Sequence, residues 1–159
     1  MAFSGGMKLL DMMPMGYDLE YINTLFEALG QNGRDTYLYN QIPVDMIYPF
    51  LFGMSYCLLI GYFLKKLDKL NSVLFYLCWL PIIAGIADYM ENFGIISMLI
   101  NYPNLSSNTA ILTNVFTLVK SFATTIYFIT LIIIMTAIGI KWLKHRQLES
   151  INNNSKKKH

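Results

Sequence analysis

A chain of 159 residues that is 55% hydrophobic and only 14% charged does not read as a soluble domain, in which about a quarter of residues are charged. It holds no polar stretch of the roughly fifty residues that a second, soluble domain would need, and a net charge of +2 gives no footing for a nucleic-acid partner. Cys57 and Cys78 lie in apolar runs, form no CxxC pair and have no histidine nearby, which excludes zinc and redox motifs and leaves two buried structural thiols.

The N-terminal segment, residues 1–42, predicts one amphipathic helix. Asp18 is placed to cap it, Leu19, Ile22, Leu25, Phe26 and Leu29 share one face, and Gly30 supplies a stop, giving a helix over 18–29. Glu20, Asn23, Thr24 and Glu27 form the opposite face. A polar face that is acidic suits anionic lipid poorly, so the helix is expected on the outer membrane face or across the mouth of a bundle. A turn is expected at Gly30-Gln31-Asn32-Gly33, followed by an interfacial segment from Arg34 to Tyr39. Pro43 is suited to open the first membrane helix, and Pro49 to kink it or mark its true start.

Three apolar runs follow. The first is uncharged from Met46 to Leu64 and ends at Lys65-Lys66. A second, from Ser72 to Ile100, is interrupted by Asp88, Glu91 and Asn92, and the third starts at Ala110, carries Lys120 and is uncharged from Ser121 to Ile140. Each exceeds the roughly 18–20 residues that cross a hydrocarbon core, and no set of short alternating segments suggests a β-barrel. The expected fold is all-α: an integral membrane bundle of three transmembrane helices, spanning about 44–64, 72–100 and 110–141 within residues 43–143, plus the N-terminal helix. Residues 144–159, polar and lysine-rich, read as a disordered basic tail.

Charge placement orients the bundle. Lys65, Lys66 and Lys69 follow the first span, and Lys141, Lys144, Arg146 and Lys156 to Lys158 follow the third, whereas residues 101–109 carry no charge. The positive-inside rule then puts the first loop and the C-terminus in the cytoplasm and the N-terminus outside. The N-terminal segment would cross without a signal peptide, since Met1 to Gly16 lacks an apolar core. A short acidic tail can do so; a missing preceding span, or a start at Met7, is the alternative.

Counting ~1.5 Å per helical residue brings the remaining charges to one depth. Asp45 falls ~28 Å above Leu64, Asp88 ~24 Å and Glu91 ~28 Å above Ser72, and Lys120 ~30 Å above Ile140. Buried charge in a membrane is costly and usually faces the bundle interior in pairs, so Lys120 is expected as the counter-ion of Asp88 or Glu91. Asp88, Glu91, Asn92 and Ile95 share a face, with Gly85 one turn earlier, and Asn114, Thr117, Lys120, Ser121 and Thr124 form a facing polar stripe. With Asp45 and Tyr48 they would line an outward polar pocket, with Arg34, Tyr37 and Tyr48 at its rim. The competing reading is a purely structural ion-pair cluster that locks three helices together.

Spaced signals of this kind, Gly33-Arg34 with Tyr37, Asp45 with Tyr48-Pro49, Asp88-Tyr89 with Glu91-Asn92, and Thr117 with Lys120, resemble a pattern from small uncharacterised multi-pass membrane proteins. The resemblance implies that the charge ring is the functional or folding centre, and that relatives carry a further helix before Met1. It implies no activity.

An enzyme finds little support. His145 and His159 lie in the tail, no HExxH or phosphate-cradling glycine loop occurs, and no serine has a base at recognisable spacing. No metal site and no cofactor are expected. The favoured reading is a non-enzymatic bundle whose pocket takes a small ligand or a lipid headgroup, or that serves in assembly. The alternative is a membrane enzyme or proton-coupled carrier using Asp88, Glu91 and Lys120. Expected partners are the lipid bilayer, the lipid or small-molecule ligand, and a second copy or another membrane protein. Gly53 and Gly61, or Gly85 and Gly94, suit such contacts as well as they suit packing within one chain.

Overall fold

The structure, a computed structural model, describes residues 4–156. It is all-helical, and no strand occurs among the described residues. Three helical stretches, Leu19–Lys66, Val73–Asn101 and Ser107–Glu149, are long and apolar enough to cross a membrane, compatible with an integral membrane protein. The chain-order elements are α1 (Leu19–Thr36), α2 (Ile42–Asp45), α3 (Tyr48–Lys66), α4 (Trp79–Asn101) and α5 (Ser107–Lys156). A single wider turn, Tyr37–Gln41, links α1 to α2, and a 3-10 segment, Val73–Cys78, leads into α4.

Helix α1 begins where its cap predicts: Asp18 accepts a hydrogen bond from the Tyr21 backbone N–H at 2.8 Å. It bends at Gly30, whose φ of +61° and ψ of −176° belong to a region that only glycine enters without strain. The turn expected over residues 30–33 is thus confined to one residue. Helix resumes at once and runs through the segment from Arg34 to Tyr39. The reason is that Gly33 and Arg34 supply carbonyls to the Tyr37 backbone N–H, so the second glycine is absorbed into the helix and does not end it.

The apolar face of α1 is buried. Ile22, Leu25, Phe26 and Leu29 join Leu10 from the preceding segment, Ile95, Met98 and Leu99 of α4, and Ala110 of α5 in one core cluster. The N-terminal helix therefore lies across one end of the bundle, here termed the capped end, and does not lie free beside it. Tyr21 donates from its hydroxyl to the Lys8 carbonyl at 2.8 Å and Tyr37 donates to Asp11 at 2.6 Å, which fastens residues 8–11 over this cluster.

Below the cap, α4 packs along α5, and α3 crosses α4 at small residues. A Cβ on Gly85 would stand 2.8 Å from the Pro49 carbonyl oxygen, and one on Gly53 3.4 Å from that of Pro81. Glycine is required at Gly85 because backbone, which cannot move aside, fills the space. Gly53 and Gly85 thus serve contacts within this chain, whereas Gly61 meets nothing within 4 Å.

The opposite, basic end is closed by Ile60 and Leu64 of α3, Cys78, and Tyr127 and Ile134 of α5. From Tyr127 the contact passes to Tyr56 and then Phe52, the rings steeply tilted to one another with centroids 5.1 and 4.7 Å apart. Helix α5 does not give way to a disordered tail near residue 144 but continues to Lys156. Its extension is stabilised one turn at a time: Arg146 lies 4.6 Å over the Trp142 ring, and His145 Nε2 lies 3.2 Å from Glu149. Residues 157–159 of the expected tail lie outside the described residues.

Candidate functional site

Helical periodicity places Asp88 and Glu91 three residues apart on α4, and Lys120 on the face of α5 turned towards them. The Lys120 ammonium sits between the two carboxylates: its Nζ is 3.2 Å from Asp88 Oδ1 and in direct contact with Glu91 Oε2. The other Glu91 oxygen accepts from the Thr117 hydroxyl at 2.8 Å. Glu91 is fully buried, while the Lys120 and Asp88 side chains are 19% and 13% exposed. One carboxylate is thus sealed by the ammonium and a hydroxyl, and the other stays at a margin. Two formal negative charges face one positive charge, leaving Asp88 incompletely balanced.

The N-terminal segment completes the seal. Tyr17, buried to 8% exposure, brings its hydroxyl to 3.3 Å from Thr117 Oγ1. Its backbone N–H donates to Asn114 Oδ1 at 3.0 Å. Burial, with Glu91 and Asp11 adding to it, pushes the Tyr17 phenol well above its ordinary pKa, so the hydroxyl keeps its proton beside the carboxylate. Asn92 is also buried here, and its Nδ2 has no hydrogen-bond partner among the described residues.

Beside this sealed group is a cavity of about 280 Å³. Asp88 and Lys120 form one wall, Tyr48, Phe52 and Pro14 an apolar one, and the hydroxyls of Ser121, Thr124 and Thr125 extend along α5. Gly85 leaves room at the α4 side. The volume is at the small end of ligand sites. A carboxylate, two aromatic side chains and hydroxyls lining one cavity are the groups that receive an ammonium group. Among the described residues no group of His, Cys, Asp or Glu side chains is arranged to hold a metal ion.

The residues singled out from sequence meet in part. Asp88, Glu91, Asn92, Asn114, Thr117 and Lys120 gather at the capped end of α4 and α5, and Tyr48 lines the cavity. Asp45 does not join the triad: it ends α2, where both its oxygens accept from Gln41 Nε2 at 3.2 and 3.0 Å. Arg34 and Tyr37 do not form a rim. Arg34 donates to the Phe26 carbonyl at 2.7 Å and lies 4.4 Å over the Tyr102 ring, so it closes the Gly30 bend and fixes α1 to the α4–α5 loop. Tyr37 is 2% exposed and points into the cap cluster, bonded to Asp11.

Sequence reasoning missed Asp11, Pro14 and Tyr17. Asp11 sits in a short 3-10 turn, Leu10–Met12, and Pro14 and Tyr17 in the irregular chain after it, neither long enough to show a period, and their partners lie up to about a hundred residues away. The only signal was Tyr17 immediately before the Asp18 cap, where an apolar residue often packs back onto the first turns of a helix. No protein-family model, curated protein or solved structure matches the chain.

Proposed function

We propose that the protein is a non-enzymatic integral membrane bundle whose capped end faces away from the cytoplasm, where the Asp88–Lys120 cavity holds the ammonium group of a small ligand or lipid headgroup. One observation carries the reading: Asp88, the carboxylate left over after Lys120 has satisfied Glu91, borders a cavity whose other walls are aromatic and hydroxylic. An ammonium group there balances the surplus charge and meets the Tyr48 and Phe52 rings, each a favourable contact for a cation. The orientation rests on the lysines and arginine of the opposite end, from Lys65 to Lys69 and from Lys141 to Arg146.

A carrier would need a polar route onward to the basic end. Ile60, Leu64, Cys78, Tyr127 and Ile134 close the way, which favours a binding site over a pathway. The pairing of Glu91 with Lys120 and Thr117 also supports a second, structural role, the locking of α4 to α5.

Short-chain phosphatidylethanolamine and soluble ethanolamine phosphate, titrated separately while thermal unfolding is followed, test the reading. We expect a saturable rise in Tm with at least one of them and its loss in Asp88→Asn. A rise with the lipid alone identifies a headgroup as the ligand; a rise with both identifies a small soluble amine as sufficient. No rise with either, or an equal rise in Asp88→Asn, overturns the proposal.

A further inference from the structure

A second concavity, at the other end of the molecule, has a different chemistry. It lies between the end of α3 and about three turns of α5, from Met135 to His145, and has a volume of about 540 Å³. Leu67 and Ile138 give it an apolar floor, Lys66 and Lys141 stand at its edge, and Trp142 forms one side. Gly139 opens it further: a Cβ there would meet nothing within 4 Å. We propose that this groove seats one anionic phospholipid, its phosphate at Lys66 and Lys141 and an acyl chain along the floor.

The position of the groove decides between a lipid and a soluble anion. The uncharged run of α5 from Ser121 ends at Ile140, and Lys141 follows immediately. The groove therefore crosses the boundary at which hydrocarbon gives way to headgroups, apolar on one side and cationic on the other. A soluble anion matches only the lysines, whereas a phospholipid matches both halves. Trp142, 53% exposed and stacked under Arg146, is of the type that settles at this boundary.

Charge complementarity fixes the sign. Lys65, Lys66, Lys69, Lys141, Lys144 and Arg146 surround this end, against Asp68 and Glu149. The Lys141 ammonium has two partners, both at the exposed surface: Nζ lies 2.9 Å from Asp68 Oδ2 and donates to the Lys66 carbonyl at 3.3 Å. An ammonium has three protons, so the third remains for a phosphate oxygen. Asp68, held in the left-handed region at φ +60°, turns the chain so that its carboxylate meets Lys141. The arrangement places one lysine at the groove, while Lys66 makes no ion pair among the described residues.

The test uses the purified full chain in mild detergent and native mass spectrometry with phosphatidylglycerol or phosphatidylcholine of matched acyl chains. We expect phosphatidylglycerol to be retained at one copy per chain where phosphatidylcholine is stripped. A lysine in contact with the bound headgroup contributes about fivefold to anionic-lipid affinity, so Lys66→Gln with Lys141→Gln should weaken retention about thirtyfold. Lys65→Gln with Lys144→Gln removes the same charge outside the groove and should leave retention within about threefold. Gly139→Phe fills the groove and should lower retention without any change of charge. Circular dichroism of each variant confirms that it is folded, and Lys66→Arg with Lys141→Arg, which preserves the charges, should retain the lipid should the glutamine pair unfold. Equal retention of the two lipids, equal losses in the two lysine pairs, or displacement by soluble glycerol phosphate overturns the proposal.

Discussion

Replacing Lys120 by methionine takes away the cation between Asp88 and Glu91 while keeping most of the side-chain volume. At 3.2 Å from Asp88, and with the effective dielectric of about 20 that suits such sites, the gross attraction is about 5 kcal/mol. The loss of stability should be comparable with that of breaking a buried pair, about 3–5 kcal/mol, because Glu91 is left with Thr117 alone in a place solvent does not reach. Glu91→Gln should cost less, since Lys120 keeps Asp88. In Glu91→Gln with Lys120→Met the buried carboxylate that Lys120→Met exposes to imbalance is gone, so the double variant should be more stable than the sum of the singles by about 1–3 kcal/mol. The assay is equilibrium unfolding in mixed micelles, followed by far-UV circular dichroism and completed as a double-mutant cycle. A Lys120→Met loss below about 1 kcal/mol, or strict additivity in the cycle, would refute the reasoning.

Gly85→Ala sets a methyl group 2.8 Å from the Pro49 carbonyl oxygen and should destabilise the α3–α4 crossing by about 1–3 kcal/mol. Gly61→Ala, which meets nothing within 4 Å, should be neutral or stabilising by up to about 1 kcal/mol in the same unfolding assay. Tyr37→Phe deletes the hydrogen bond to Asp11 and should cost about 1 kcal/mol, with faster amide exchange over residues 8–12 and little change in α4. The raised pKa of Tyr17 gives a sign for alkaline pH: the folded state favours the neutral phenol, so its contribution is complete below about 10 and is lost as pH rises above that. Tyr17→Phe should therefore lose less stability than the parent chain between pH 9.5 and about 11, and equal slopes would contradict the buried placement.

How much was legible in the sequence follows from where the information lies. The spacing of Asp88, Glu91 and Asn92 and the stripe from Asn114 to Lys120 are helical periodicities inside long apolar runs, and straight helices deliver them to one end. Asp45 stays off the triad although the helical path is not broken, since Met46 and Ile47 keep helical dihedrals. Its carboxylate takes Gln41, one turn back on the same face, a local partner that a count of depth alone does not reveal. Two glycines three residues apart, Gly30 and Gly33, look like a turn in the sequence, and a turn there would free Arg34 and Tyr37 for a pocket rim. Only Gly30 takes a conformation that breaks the helix, so everything after it rotates with α1 into the cap. Asp11 and Pro14 were out of reach, since one short 3-10 turn and the irregular backbone after it carry no period from which a partner is inferred, and Tyr17 offered only its place before the Asp18 cap.

The bonds from Tyr17 to Asn114 and Thr117 bear on the order in which the molecule is made. The N-terminal segment leaves the ribosome about a hundred residues before its partners on α5 exist, and Asp88 and Glu91 are likewise synthesised before Lys120. Until α5 arrives, the cap has only part of its seat and the two carboxylates of α4 have no counter-ion from α5. The last long helix to be synthesised is therefore the one that neutralises the site and closes it. A ribosome-bound intermediate halted before residue 107 should leave residues 8–17 open to protease, and release of the full chain should protect them.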